Sequence, residues 1–432
     1  RLGDGDVWKL VKALPFELAV VPHRFYKWVR LPVVSYALPA LIAIGQLIFY
    51  YRKPLNPLVR LIRKLSLKKV SKILEDIQPA NGGFLEAIPL TSFVVMSLAA
   101  GDKKGSEVVT RGVDFLLDSV REDGSWAIDT DLATWVTTLS INALAAGSDI
   151  ESVLSEDDRR RLRDWLVGQQ YKKEHPYTHA EPGGWGWSDS PGAVPDADDT
   201  AGALIALSNL GLIDDEVLGS VTAGIKWLMD LQNSDGGVPT FCKGWNWLDF
   251  DRSSPDITAH AIAAMDVWRD RVTIRGLDRA IVRAVDYLKR TQNRRGYWIP
   301  LWFGNQYDEK KENPIYGTAR VIIALSQLDR KDNTMISRAA DWLISVQNSD
   351  GSWGSIEETA LAVDALASIG GSDIEQMQKG AKWLIEKTNS DTQLAAAPIG
   401  LYFAKLWYYE ELYPLIFSIS ALSKVQKLEK LK

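Results

Sequence analysis

The sequence predicts an all-α fold in which helix pairs repeat as an array or toroid, and three observations carry this. An aromatic-Leu-x-x-x-Gln segment followed by Asn/Asp-Gly-x-Trp recurs, with its best copies at Trp227-Leu228 to Gly237, Tyr287-Leu288 to Trp298 and Trp342-Leu343 to Trp353. Successive copies lie roughly 40 to 60 residues apart, a period typical of helical arrays. Each copy reads as a helix ending at the Gln, a Gly turn, and a second helix such as 357–368.

Composition narrows the function classes. With 432 residues the chain can hold two domains and a large core. A net charge of -5 gives no bulk attraction for nucleic acid. Cys242 is the single cysteine, which excludes a disulfide framework. The four histidines, His23, His175, His179 and His260, show no His/Cys zinc constellation.

Taken in order, Leu31 to Tyr51 is uncharged and long enough to span a bilayer. Pro32, Ser35, Pro39 and Gln46 interrupt it and favour a buried or interfacial helix. Arg52 to Lys72 then carries eight basic residues and no acid, with Leu55, Leu58, Val59, Ile62 and Leu65 at helical spacing. That pattern suits an anionic membrane surface and, equally, a solvated helix with its apolar face on the core. From here the repeats begin, with weaker copies at Ile73-Leu74, Phe115-Leu116, Trp165-Leu166 and Trp383-Leu384. The Gln slot holds Gln78, Val120, Gln170, Gln232, Gln292, Gln347 and Thr388.

Within this frame lies Pro195-Asp196-Ala197-Asp198-Asp199-Thr200-Ala201, three acids before an apolar run. Acids in a first turn cap a helix and suit its dipole. Three together also repel, which favours keeping one protonated near neutral pH. Gly183-Gly184-Trp185-Gly186-Trp187 precedes the cluster, and Ser254-Pro255-Asp256-Ile257-Thr258-Ala259-His260 follows it, with Asp256 and His260 on one helix face.

These two acidic motifs, in this order and among these repeats, resemble the squalene–hopene cyclases, class II triterpene cyclases with Asp-x-Asp-Asp-Thr-Ala, Asp-x-Thr-Ala-His and QW repeats. The resemblance runs from Leu14 to the C-terminus. It implies α/α toroids (α6-α6 barrels): one complete catalytic barrel over 130–432, and over 1–129 part of a second barrel with a membrane-associating segment at 31–72. The earlier part of that barrel is expected to be missing from a chain that starts at Arg1. Less regular repeats of this kind also occur in protein prenyltransferase β subunits, but those need Asp, Cys and His zinc ligands, and only His260 follows Cys242.

By the resemblance, Asp198 is the proton donor, so no metal or organic cofactor is implied; Asp196 and His260 hydrogen-bond around it, and Asp199 stabilises the first cation. Asp256 is expected to orient the His260 ring. A protonated, exposed acid with a stabilised conjugate base is what alkene protonation demands. Trp135, Trp187, Phe241, Trp302 and Tyr316 match aromatics that stabilise cations without trapping them. Further aromatic candidates are Tyr402, Phe403, Trp407, Tyr408, Tyr409 and Tyr413. Three positions depart from the family pattern: Val136, Arg320, and Ile88 where a glutamine holds the terminating water. Glu86, two residues before Ile88, is expected on the same side of an extended turn and able to take over that water.

The expected function is a protonation-initiated terpene cyclase, an isomerase turning squalene into a hopene- or hopanol-type pentacycle, with possible hydro-lyase side activity. The alternatives are a class II cyclase of a shorter prenyl diphosphate and a non-catalytic toroid binding apolar lipids. The implied partners are a polyprenoid and membrane lipid, with no nucleic acid and room for a homodimer. The implied location is monotopic on the cytoplasmic membrane face.

Overall fold

In a computed structural model, described over residues 11, 13–28, 35–147, 150–328, 333–370, 374–390, 394–402 and 406–430, the protein is almost entirely helical. Sixteen α-helices and four short strands lie among the described residues. By its internal contacts the chain forms two compact units: 1–132 with 174–181 and 187–194, and 133–173 with 182–186 and 195–432.

The first unit contains α1 (His23–Trp28), α2 (Leu38–Tyr51), α3 (Pro57–Ile77), α4 (Ile88–Ala100) and α5 (Glu107–Asp118). The apolar run read at 31–51 begins outside the described residues. Its described part is α2, whose Ile42, Ala43 and Gly45–Phe49 are buried in the core of this unit. The helix is 14 residues long, and no helix among the described residues is long and apolar enough to cross a membrane. The basic stretch becomes α3, capped by Asn56. It buries Arg63, Ser66, Val70 and Leu74 while Leu55, Leu58, Leu61, Ile62 and Leu65 remain exposed. Arg63 is buried because Glu17 pairs with it at 3.0 Å.

The second unit holds α6 (Ala133–Leu144), α7 (Glu156–Gln169), α8 (Ala197–Leu210), α9 (Asp215–Leu231), α10 (Pro255–Asp266), α11 (Leu277–Thr291), α12 (Pro314–Ser326), α13 (Asn333–Ser345), α14 (Ile356–Ile369), α15 (Ile374–Ser390) and α16 (Tyr413–Lys430). Helices α6, α8, α10, α12, α14 and α16 each contact the next, and α16 contacts α6, which closes a ring of six. Helices α7, α9, α11, α13 and α15 alternate with them in the chain and pack on their neighbours. Two hairpins complete the unit: β1 (Val238–Pro239) with β2 (Ser253–Ser254), and β3 (Gly400–Tyr402) with β4 (Leu406–Tyr408).

Composition separates the layers. Every residue from Asp256 to Met265 of α10 is buried, as suits a helix enclosed on all sides. In α11 only one stripe is buried, Leu277, Ala280, Ile281, Ala284, Tyr287 and Leu288, with basic residues ending the helix.

The repeat is a set of hydrogen bonds. The Gln232 amide donates at 2.9 Å to the carbonyls of Gly236 and Ala280. Gln78, Gln170, Gln292 and Gln347 make the matching pairs, each joining a Gly carbonyl to a carbonyl of the next helix outward. Trp126, Trp185, Trp298 and Trp353 each donate Nε1 to the carbonyl of their own repeat's Leu, at 2.7 to 2.9 Å. Gly236 sits at φ +91, where a Cβ would lie 2.4 Å from the Arg283 carbonyl oxygen, so the turn admits glycine alone.

A third tie was not read from the sequence. Thr91, Thr200, Thr258, Thr318 and Thr359, each near the start of a helix, accept the backbone N–H of Phe84, Trp185, Val238, Trp298 and Trp353 at 2.9 to 3.1 Å. The turn is thus latched to the helix that follows it.

Candidate active site

Asp196, Asp198 and Asp199 lie where the acid-rich pattern put them, at the start of α8, but they divide into two roles. Asp196 is the N-cap: its Oδ1 accepts the N–H groups of Asp198 and Asp199, each at 2.9 Å. It therefore holds the Asp198 backbone and not its carboxyl. Asp199 is buried against Asp196, and burial raises both carboxyls above the usual carboxylate range; Asp196 raises Asp199 further, while hydrogen bonds from Asp199 partly offset the rise in Asp196. The raised acids of the cluster are these two, Asp199 through burial and the neighbouring Asp196 and Asp198.

Asp198 faces another way. Its Oδ1 lies 2.5 Å from His260 Nδ1, and its side chain stays 19% exposed. Burial pushes the Asp198 carboxyl up, but the His260 and Arg320 charges more than reverse this and leave it below the ordinary range. Burial pushes His260 down, and Arg320 adds to that against the pull of Asp198. Both members of the pair therefore hold a proton less tightly than in water. Arg320 acts in the same sense on both, weakening the hold of each on a proton.

His260 meets Asp198, the partner the resemblance implied, 62 residues away in sequence, while Asp256, expected to orient the ring, bonds elsewhere. Asp256 accepts the Ser254 hydroxyl instead, and burial pushes its carboxyl up to about 6. Spacing on one helix gave proximity, but a neighbouring helix supplied the better partner.

Arg320, noted in sequence only as a departure, is an electrostatic neighbour of Asp198, Asp256, Tyr316 and Asp364. Beside it a cavity of about 340 Å³ opens within the ring of six, lined by Asn142, Asn209, His260, Asp364 and Lys424 among others. Lys424 Nζ pairs with Asp364 at 2.5 Å. Leu139, Ile205, Ile323, Leu361, Ile416 and Phe417 line the same cavity, so polar and apolar walls meet there.

The candidate aromatics fall into groups. Tyr316 is buried and stacks on Phe303 at 3.8 Å, and Phe303 meets Tyr413 at 6.5 Å. Trp135 donates Nε1 to the Tyr413 hydroxyl at 2.7 Å. Phe241 meets Trp302 edge-on at 6.1 Å, and Trp302 Nε1 donates to Thr240. Phe303 was missed, although it is adjacent to Trp302. Trp187 falls in the first unit. Of the C-terminal candidates, Phe403 lies outside the described residues, Tyr402, Trp407 and Tyr408 form the β3–β4 hairpin, and Tyr409 is exposed.

Glu86 and Ile88 also belong to the first unit. The backbone around Glu86 is not extended: Leu85 and Glu86 have φ of +56 and +55, which removes the argument that Glu86 and Ile88 share a side. Glu86 is buried and accepts bonds from Asn81, Thr130 and the Gly192 N–H. Burial raises its carboxyl above the usual range, and neighbouring Asp129 is pushed up to about 7. Ile88 is buried at the start of α4.

Residues 132–427 match the family model of the squalene–hopene cyclase C-terminal domain. The chain is 28% identical to squalene–hopene cyclase of Bradyrhizobium diazoefficiens over 292 residues, 62% of this chain and 42% of that protein. It spans less than half the length of the first curated relatives that it matches. In structure it resembles ent-copalyl diphosphate synthase from Streptomyces platensis, with a TM-score of 0.55, 19% identity, and coverage of 91% of this chain and 88% of that one. It also resembles a variant of type II terpene cyclase MstE from Scytonema in complex with geranylgeranyl dihydroxybenzoate, with a TM-score of 0.50, 16% identity, and coverage of 68% and 88%. At these identities the structural likenesses show the fold alone.

Proposed function

We propose a reaction from one premise: the chain belongs to the squalene–hopene cyclase family. It is a class II terpene cyclase in kind, and we infer that it cyclises squalene to a hopene- or hopanol-type pentacycle by protonating a terminal alkene. The carrying observation is the 2.5 Å Asp198–His260 pair, on both members of which the Arg320 charge weakens the hold on a proton. Asp198 delivers the proton. His260 and Arg320 stabilise the carboxylate left behind. Tyr316, Trp135, Trp302 and Phe241 then stabilise the cations by attraction of about 1–2 kcal/mol each when desolvated. Incubation of the protein with squalene, oxidosqualene and geranylgeranyl diphosphate, followed by lipid analysis, tests this. Cyclic triterpene from squalene supports the reading; turnover of the diphosphate alone moves the protein to another substrate class; no product from any arm removes the enzymatic reading.

Termination falls to the buried Glu86–Asp129 carboxyls in this proposal, because Ile88 offers no polar anchor. A carboxyl with a raised pKa accepts a proton or orients the water that does. Glu86→Gln is expected to lower the yield of a single product about tenfold or more, and Ile88→Gln to shift the ratio of alkene to alcohol. An unchanged product profile in both variants refutes this assignment.

We further propose monotopic attachment to a membrane through α3. Leu58, Leu61 and Leu65 are exposed on a helix rich in Lys and Arg, with exposed Leu55 just before it, the composition that lays a helix into an anionic interface. Release from membranes should require detergent, and complete recovery in a high-salt wash counts against insertion.

A further inference from the structure

Three of the four histidines converge in the first unit, apart from the second unit that holds the acid motif. His23 opens α1, and His175 and His179 sit in the loop from Glu174 to Glu181. The rings of His23 and His179 stack with centroids 4.4 Å apart and planes 17° from parallel. Glu174 Oε1 lies 2.8 Å from His179 Nδ1. One potential ligand atom from each of His23, Glu174 and His179 lies within 4.8 Å of the other two.

The loop that presents two of these groups is closed on itself. His175 N–H donates to the Ala180 carbonyl and His179 N–H to the His175 carbonyl, both at 2.9 Å. The His175 ring is used inside the loop: its Nδ1 accepts the N–H groups of Tyr177 and Thr178, so Nε2 carries the proton toward the Ala193 carbonyl. His175 is thereby removed as a ligand and becomes the brace of the loop. It helps hold His179 at φ +57, in the left-handed region, with its ring beside His23 and its Nδ1 on Glu174.

We propose that His23, His179 and Glu174 bind one divalent transition-metal ion, Zn²⁺ foremost. Two imidazoles and a carboxylate are a recurrent zinc donor set that leaves a fourth position for water. With metal–ligand distances of about 2.0–2.1 Å, tetrahedral donors stand about 3.3 Å apart. The His179–Glu174 contact must therefore open slightly and the remaining separations close. Partly exposed side chains meet that demand by rotamer changes, with the loop backbone kept. The imidazoles also favour Zn²⁺, Cu²⁺ or Ni²⁺ over Mg²⁺ or Ca²⁺, which seek oxygen donors. Bound metal would clip the start of α1 to a loop some 150 residues further along the chain, the kind of long closure that most restricts an unfolded chain. This site stands apart from the cyclase reading, and neither depends on the other. Sequence spacing hid it because one ligand lies so far from the other two.

The test uses the full chain, stripped with chelator and titrated with Zn²⁺ by calorimetry, then with Co²⁺ by visible absorption. The expected result is one Zn²⁺ per chain, a Co²⁺ spectrum of tetrahedral intensity, and a thermal midpoint that rises with free Zn²⁺. His23→Ala, His179→Ala and Glu174→Gln should each weaken binding by at least about tenfold, with circular dichroism unchanged. His260→Ala should retain it, which excludes binding at the acid motif. Absence of stoichiometric binding in the wild type, or unchanged affinity in His23→Ala or His179→Ala, overturns the proposal.

Discussion

Asp198→Asn is expected to reduce cyclisation to background, a loss of roughly 10⁴-fold for the removal of a general acid, while the helical content stays as in the wild type. The fold should survive because the Asp198 carboxyl meets His260, whereas the helix start depends on the Asp196 cap and the Thr200 latch. Asp196→Ala offers the contrast: it should lose activity together with about 1 kcal/mol of stability, because it removes an N-cap. Arg320→Gln separates acid strength from acid population. The Arg320 cation lowers both Asp198 and His260. Its removal lets both rise, so the pair stays protonated to higher pH but gives up its proton less readily. The high-pH limb of kcat/KM should therefore move upward while the rate at low pH falls. Wild-type turnover by Asp198→Asn, measured as product by gas chromatography, would refute the assignment. An unmoved pH profile for Arg320→Gln would remove Arg320 from the electrostatics of the acid.

Trp298→Ala is expected to destabilise the second unit by about 3–5 kcal/mol, the range for truncating a buried aromatic. Trp298 is 1% exposed, its Nε1 binds the Leu288 carbonyl at 2.9 Å, and its backbone N–H binds Thr318. Trp298→Phe retains most of the volume and loses the hydrogen bond, so it should cost about 1–2 kcal/mol. Trp247, 80% exposed in a loop, is the internal control. Its replacement by Ala should stay within about 0.5 kcal/mol. Denaturant midpoints check the order. Equal effects for Trp298→Ala and Trp247→Ala would mean that the turn tryptophan is not a structural tie.

The parts of this architecture that were legible in sequence are those repeated in sequence. Gln232, Gly236 and Trp298 recur as residue types at fixed offsets, so their common role could be read before any coordinates. The Thr latch was hidden because Thr200 and Thr258 lie inside the two acidic motifs, where attention goes to the carboxyls. Arg320 was visible only as an odd residue, since its importance comes from facing Asp198 across two helices. The division of labour among the three aspartates was also out of reach. Adjacent acids look alike in sequence, and only the direction of each side chain decides which is a cap, which is buried and which meets a histidine. Helical spacing alone pointed from His260 to Asp256, and only the resemblance paired it with Asp198, 62 residues away.

The latch has a consequence for how such a scaffold changes its chemistry. Counting back two residues from Thr200, Thr258, Thr318 and Thr359 reaches Asp198, Asp256, Tyr316 and Glu357. These four occupy one address, written four times around the rim of the ring, and each is set in place by the same threonine bond. The rim works like a socket strip with identical mounts and different fittings: a partly exposed acid, a buried acid, a phenol and a buried glutamate. A substitution at that address exchanges the fitting and spares the mount, so reactivity can drift around the rim while the hardware beneath it stays constant.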